Sequence, residues 1–319
     1  MQVTTYGTRG STAVARPDTV WYGGNTTCLR IKSDCLPSDT ALVIDSGTGF
    51  VPLCDDLATE PIGKLLLLWT HYHHDHTIGL PLGQAVYRND IHFSCYGPIE
   101  KEIGPREVLS YLMASPFFPV SFVAVAQRFS TFGITEPTDQ IIAVHAKGGF
   151  ISLRLDFFRE AETSPTRQLS FPGGHFPVDE CLIIRMVYTT HPERTISYRF
   201  EERPTGRCFV FLTDHENTAG LPQSLLRHVA GANLLIADSQ YPEKDYLAKA
   251  GWGHGTPEYC VRLAQTAKAQ RLGLTHHDPQ DSKAAIEQKV ADALAANTLP
   301  DSQLIKEIFA CADGRTYEA

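Results

Sequence analysis

The densest group of potential metal ligands is the run His71-Tyr-His-His-Asp-His76, which holds several of the chain's 13 histidines. Imidazole and carboxylate groups are ligands that divalent cations such as Zn²⁺ and Mn²⁺ accept. Residues two apart in an extended chain point the same way, so His71 and His73 present two imidazoles to one volume. Where the chain turns, Asp75 and His76 face a second volume beside the first. The motif therefore predicts a metal centre.

Further ligands are expected where later strands end. His191, Asp214 and the pair His276-His277 each directly follow an apolar run of the kind that forms a buried strand. Their side chains can therefore converge at one edge of the sheets, and a metal would supply the partner that a buried polar group needs. For each residue alone, a hydrogen-bonded place in a loop is an equal alternative.

The elements that position these residues are mostly strands, separated by turns that contain Gly, Pro and Asn. The predicted strands cover 26–32, 41–45, 64–70, 91–96, 140–146, 150–157, 181–189, 195–201, 207–213, 233–237 and 271–275. Helical spacing of apolar residues predicts helices over 99–113, 221–230, 257–270 and 282–296. Strands dominate the middle and helices separate strands near the end, so the pattern predicts an α/β layered fold with mixed sheets.

Length and composition restrict the class of protein. The chain has 319 residues, of which 43% are hydrophobic and 20% are charged, as is typical of a globular protein with a substantial core. No apolar run approaches the ~18 residues that a membrane-spanning helix needs. The N-terminus lacks the features of a secretory signal, and the eight cysteines form no Cys-x-x-Cys pair. We therefore expect a cytoplasmic protein with reduced thiols.

The charge balance bears on the partners. Lys and Arg number 28 and Asp and Glu number 36, for a formal net charge of −8, and no cluster of basic residues stands out. Because binding to long nucleic acid depends mainly on neutralising phosphates, such a polymer is an unfavourable partner. A small anionic substrate at a local cationic site remains possible.

Several motifs carry a family resemblance. The run at 71–76, followed by a distant His, an Asp and a final His, resembles the hallmark of the metallo-β-lactamase-fold hydrolases. Five further segments are similar to the branch that contains ribonuclease Z and small-molecule phosphodiesterases: 7–11 (GTRGS), 23–27 (GGNTT), 45–49 (DSGTG), 212–216 (LTDHE) and 253–258 (GHGTPE). The resemblance implies a four-layer αββα sandwich with two mixed β-sheets, as one domain over 1–319. Residues 115–180 carry the least family pattern and are predicted to be an insertion or a lid.

The resemblance also implies a set of ligands for two divalent metal ions per chain, Zn or Mn, with Fe possible. One ion would be held by His71, His73 and His191, and the other by Asp75, His76 and His276. Asp214 would bridge them, together with a water or hydroxide. His276 is preferred over His277 because it directly follows the last predicted strand. Asp45 would orient a ligand histidine, although an Asp before Gly is equally common in turns.

The candidate catalytic residues are Asp75 and His254. His254 lies in a Gly-rich turn just before a helix that Thr256, Pro257 and Glu258 are expected to begin. In ribonuclease Z-like proteins the matching histidine contacts the scissile phosphate as a proton donor, and the resemblance implies the same role here. The alternative is a histidine that only caps or packs at the turn.

These features favour a phosphodiesterase that acts on a small substrate, such as a cyclic nucleotide, with the hydroxide between the two cations as nucleophile. An RNA-processing endonuclease of the ribonuclease Z type is one alternative. A hydrolase of lactones, thioesters or β-lactams is another, and a metal-binding sensor without turnover is a remote third.

A homodimer is possible, and no membrane partner is expected.

Overall fold

The computed structural model of the protein describes residues 1–298 and 304–319. Its strands are β1 (Gln2–Gly7), β2 (Cys28–Lys32), β3 (Thr40–Ile44), β4 (Lys64–Leu68), β5 (His92–Pro98), β6 (Phe129–Ile134), β7 (Gln140–His145), β8 (Gly149–Arg154), β9 (Gln168–Phe171), β10 (Gly174–Pro177), β11 (Leu182–Tyr188), β12 (Ile196–Glu202), β13 (Arg207–Leu212), β14 (Leu234–Asp238), β15 (Arg271–Thr275), β16 (Glu307–Ala310) and β17 (Arg315–Glu318). Its helices are α1 (Phe50–Ala58), α2 (His74–Thr77), α3 (Pro105–Leu112), α4 (Leu155–Thr163), α5 (Gln223–Val229), α6 (Glu243–Lys249), α7 (Pro257–Thr266) and α8 (Lys283–Ala296).

Two large mixed sheets organise the described part of the chain. The first has seven strands in the order β17-β1-β2-β3-β4-β5-β6, and the second has eight in the order β16-β15-β14-β13-β12-β11-β7-β8. Strands β3 to β6 are parallel in the first sheet, and β13 to β16 are parallel in the second. The remaining pairs in both sheets are antiparallel. Each sheet therefore has a parallel part and an antiparallel part.

The core consists of three layers of apolar contacts, because successive residues of a buried strand face opposite sides of the sheet. Leu66 and Leu68 of β4 belong to a buried cluster that also contains Ile184 of β11, so the two sheets pack face to face. Leu65 and Leu67 belong to a second cluster, on the outer face of the first sheet, with residues of α1 and α3. A third cluster covers the outer face of the second sheet with α5, α7 and α8. The predicted four-layer αββα sandwich is confirmed.

The predicted elements differ from the structure mainly at their ends. The predicted strand 150–157 ends at Arg154, and α4 begins at Leu155 because Phe158 packs into a buried cluster against β7 and β11. The predicted helix 99–113 is shorter, since α3 begins at Pro105, a residue suited to the first helical position. The sequence did not predict helices α1, α2, α4 and α6 or strands β1, β6, β9, β10, β16 and β17.

Residues 115–180, which we predicted to be an insertion or a lid, contribute to both sheets. Strand β6 forms an edge of the first sheet, whereas β7 and β8 form an edge of the second. Helix α4 and the β9-β10 hairpin follow.

None of the helices in the described part of the chain has the length and apolar character that a membrane-spanning segment needs.

The parallel strands position the polar residues. Their carboxyl ends meet at one edge of each sheet, as in other open parallel sheets whose binding sites lie beyond those ends. Asp45 directly follows β3, Asp214 lies two residues beyond β13, and His276 directly follows β15. Helix α2 begins six residues after β4 and carries Asp75 and His76.

Candidate metal centre

The sequence-predicted ligands come together in two clusters that share Asp214. The first contains His71, His73, His191 and Asp214, with one potential ligand atom from each within 4.8 Å of the others. The Nε2 atoms of His71 and His191 lie 3.6 and 3.9 Å from Oδ2 of Asp214. His73 is the most exposed member, and its Nε2 is 3.0 Å from Oε2 of Glu193.

The second cluster contains Asp75, His76, Asp214 and His276, all of them buried. Nε2 of His276 is 3.2 Å from Oδ2 of Asp75 and 3.2 Å from Oδ1 of Asp214. Nε2 of His76 is 3.5 Å from Oδ2 of Asp214. Asp214 therefore presents a carboxylate to both clusters, which is the arrangement of a bridging ligand.

These residues fit a bound cation. The Nε2 atoms of His71 and His191 are buried and have no hydrogen-bond partner among the described residues. A buried polar atom without a partner costs free energy, and a metal ion would remove that cost. Imidazole nitrogens beside carboxylate oxygens are also the donor set that divalent transition metals accept.

The electrostatics keep His71, His191, Asp75 and Asp214 in the protonation states that metal ligation requires. Burial lowers the pKa of His71 well below its usual range, and burial also lowers that of His191. Burial opposes ionisation of Asp75 and Asp214, but neighbouring imidazoles hold both carboxyl pKa values below the usual range. Neutral imidazoles and ionised carboxylates are the forms that bind metals. At His76, burial opposes the charged ring, but neighbouring carboxylates raise its pKa well above the usual range, so a cation would displace a proton there.

Asp45 orients one of the candidate ligands. Its carboxylate accepts hydrogen bonds from the Thr70 backbone N–H and hydroxyl, at 2.7 and 2.8 Å, and lies 2.8 Å from Nδ1 of His76. Burial raises the pKa of this carboxyl. Because Nδ1 of His76 is engaged by Asp45, its Nε2 is directed at Asp75 and Asp214.

Comparison with known families identifies the chain. Residues 40–277 match the beta-lactamase superfamily domain, a range that includes both clusters. The chain belongs to this superfamily. Most members are metal-dependent hydrolases that bind divalent cations, typically zinc, and the donor set described above is consistent with that chemistry. The family resemblance inferred from the sequence motifs is confirmed.

Several solved structures share this fold, although their sequence identity to the chain is low. The metallo-beta-lactamase fold protein YhfI from Bacillus subtilis is 18% identical, with a TM-score of 0.59 and coverage of 99% of both chains. The human tRNase Z short form is 17% identical, with a TM-score of 0.57 over 100% of this chain and 99% of that one. A diphosphatase from the PhnP family is 14% identical, with a TM-score of 0.57 over 100% and 97%. The sequence has no match among curated proteins.

The adjacent histidines His276 and His277 have different surroundings. Nδ1 of His276 is 2.8 Å from Oε1 of Gln240, which leaves Nε2 facing the second cluster. Nε2 of His277 instead lies 2.9 Å from the carbonyl oxygen of Cys311, and burial lowers its pKa to about 3. The structure therefore places His276, and not His277, beside Asp75.

His254 lies beside the clusters, paired with a residue that sequence reasoning missed. Its Nδ1 is 2.9 Å from Oδ2 of Asp238 and 3.8 Å from Oδ2 of Asp214. Burial opposes the charged imidazolium, but these carboxylates raise the pKa of His254 to about 9. Asp238 ends the apolar strand β14. His191, Asp214 and His276 were predicted because they follow such strands, and the same signal could have identified Asp238.

Three residues around the centre have left-handed backbone conformations. Ser11, Asp45 and His276 have φ values of 61°, 57° and 59°. Residues other than glycine adopt this region at a cost that the surrounding structure must offset, and such residues are concentrated at functional sites. The Ser11 backbone N–H donates a hydrogen bond to Oδ2 of Asp75 at 2.7 Å.

We expect Gly10→Ala to weaken binding of one cation by about 10- to 100-fold, a typical effect of disturbing the support of a ligand. A Cβ at Gly10 would lie 2.3 Å from Nδ1 of His276 and 2.7 Å from Oε1 of Gln240, so the imidazole must move. Zinc titration with a competing chelator measures the effect. Gly63→Ala is the control, because its Cβ would meet its nearest atom at 3.7 Å. Equal zinc affinities in both variants would contradict the assignment of His276.

Proposed function

We propose that the protein is a dinuclear metal-dependent phosphodiesterase that acts on a small substrate such as a cyclic nucleotide. The observation that carries the proposal is the position of Asp214, shared by two His/Asp clusters at the floor of an open cleft. Ser11, Tyr72, Asp75 and His254 also line this cleft, together with His73 and His74. Candidate ligands and a candidate proton donor thus face the same space.

The two clusters would hold one divalent cation each, with Asp214 between them. When bound, such a pair polarises a phosphoryl group and lowers the pKa of a water molecule, which is the chemistry that hydrolysis of a diester needs. The residues of this chain hold that arrangement in place. Asp45 directs His76, Gln240 directs His276, and the Thr195 hydroxyl lies 3.0 Å from Nδ1 of His191.

His254 would protonate the departing alkoxide. Because Nδ1 faces Asp238 at 2.9 Å, Nδ1 carries a proton, and the doubly protonated ring is the form that also has a proton on Nε2 to donate. Nε2 is then the atom left for the substrate, and the side chain lines the cleft. A leaving group of high pKa requires such a donor more than an activated one does.

The dimensions of the cleft favour a small substrate. Its volume is about 360 Å³, at the lower end of the ~300–1,000 Å³ typical of small-molecule sites. The formal net charge of −8 disfavours a long polyanion. The likeness to human tRNase Z is in the fold, so a transfer-RNA precursor belongs in the test as a competing substrate.

A hydrolysis screen of the zinc- and manganese-loaded protein tests the proposal. We expect turnover of cyclic nucleotides or small linear diesters, with little change in kcat/KM between low and moderate salt because few phosphates are contacted. Protein stripped of metal by a chelator is the control and should be inactive. Hydrolysis restricted to lactones or thioesters would refute the phosphodiesterase. Cleavage of the transfer-RNA precursor alone, declining steeply with salt, would refute the small substrate.

A further inference from the structure

A second, apolar cavity lies next to the metal cleft. Its volume is about 740 Å³, and it lies between the segment that follows the metal-binding motif and the end of α3. Ile78, Leu82, Tyr111 and Phe117 contribute to its walls. Within residues 1–298 and 304–319, no carboxylate, ammonium or guanidinium group lines it.

The inner wall of this cavity is part of the protein core. Leu112 and Phe118 are partly buried and pack against the apolar cluster that covers the outer face of the first sheet. That cluster includes Leu109 of α3, which is fully buried. The cavity is therefore built on a packed surface, so it is a preformed feature of the fold.

The outer wall exposes an unusual amount of apolar surface. The exposed fractions are 42% for Ile78, 57% for Leu82, 64% for Tyr111 and 87% for Phe117. Single exposed apolar side chains are ordinary on protein surfaces, whereas several around one cavity indicate that the cavity binds something apolar.

The cavity and the metal cleft share one wall residue, which connects them. His74 lines both, and its chain neighbours His73 and Asp75 are candidate ligands that line the cleft. Ile78 lies one turn further along the same segment. A molecule whose reacting group is at the cleft can therefore extend past His74 into the apolar cavity.

We propose that this cavity is a substrate subsite, which binds an uncharged alkyl or aromatic group carried by the substrate. The proposal rests on the proposed function, since the group at the cleft is taken to be a phosphodiester. It narrows the substrate class to diesters with one apolar substituent. Apolar burial supplies binding free energy in the cavity, while the charged phosphoryl group remains at the metal cleft.

Two homologous series test the subsite separately from turnover. The first is n-alkylphosphonates from methyl to hexyl, whose binding to the zinc-loaded protein is measured by titration calorimetry. The second is n-alkyl 4-nitrophenyl phosphates of the same lengths, whose hydrolysis gives kcat/KM. We expect the affinity for the phosphonates to rise about fourfold per methylene until the cavity is filled.

Variants at the exposed rim locate the effect. In Leu82→Ser and Phe117→Ser, the hexyl-to-methyl affinity ratio is expected to fall about tenfold or more. Both side chains are largely exposed, so neither substitution removes a core contact. The matched controls are Leu294→Ser and Phe157→Ser, which are 54% and 59% exposed and lie outside this cavity. The controls should keep the ratio of the unmodified protein.

The outcomes separate the subsite from the proposed function. Length-dependent phosphonate binding without hydrolysis of any diester would support the subsite and refute the phosphodiesterase. Hydrolysis without dependence on chain length would overturn the subsite and leave the phosphodiesterase standing.

Sedimentation tests whether a second copy of the chain occupies the same surface instead. If Leu82→Ser and Phe117→Ser convert a dimer into monomers and the series shows no length dependence, the cavity covers a second copy of the chain, and the subsite is wrong.

Discussion

Asp214→Ala is expected to remove bound metal from both clusters and to lower kcat/KM by on the order of 10³-fold or more. The reason is geometric. Oδ2 of Asp214 lies 3.6 Å from Nε2 of His71 and 3.5 Å from that of His76, and Oδ1 lies 3.2 Å from that of His276. Loss of this one carboxylate therefore removes negative charge from both clusters at once.

Two measurements on the same sample test this prediction. They are the metal content, by mass spectrometry, and the turnover of a small diester. Asp90→Ala is the control, because the Asp90 side chain is 65% exposed and pairs with Arg88 at the surface. Asp214→Asn keeps the size of the side chain and separates loss of charge from a packing defect. Two metals per chain with ordinary turnover in Asp214→Ala would refute the bridging assignment.

His254→Ala is expected to retain both metals while lowering kcat on alkyl diesters about 10²- to 10⁴-fold, the usual range for loss of a general acid. On 4-nitrophenyl diesters the loss should be much smaller, because that leaving group departs without a proton. The prediction depends on His254 lining the cleft while its Nδ1 faces Asp238 at 2.9 Å.

Comparison of leaving groups with the same metal-loaded preparations tests this role. Asp238→Asn weakens the contact that orients the ring, and it should show the same dependence on the leaving group with a smaller loss. His175→Ala is the control, since that histidine is exposed on the β9-β10 hairpin, where it contacts Ser170. Equal losses on alkyl and 4-nitrophenyl diesters would contradict proton donation by His254.

Much of the centre was predictable because its signals are local. His71 and His73 are two residues apart after an apolar strand, so their relative direction follows from the geometry of an extended chain. Asp214 and His276 follow buried strands, and the ends of parallel strands meet at a sheet edge. The four-layer sandwich was implied by the family resemblance, and in the structure Leu66 of β4 faces one apolar layer and Leu65 the other.

Other features depend on contacts between residues far apart in the chain, and sequence reasoning missed or misplaced them. Asp238 pairs with His254 across 16 positions, and its role depends on where the loop after α6 returns to the sheet. Strand β8 ends at Arg154 because Phe158 finds a buried place against β7 and β11. Local propensity does not contain that information, since tertiary packing decides between a strand and a helix there.

The sequence by itself determined the donor types, their spacing at 71–76 and the strands that carry the rest. The tertiary structure decided that His276 faces Asp75 while His277 faces Cys311, through the left-handed backbone at His276 and the close approach of Gly10. It also decided that the segments on either side of the apolar cavity meet beside His74. The physical reason is that spacing along a strand sets directions over a few residues, whereas contacts between distant segments arise only when the sheets pack.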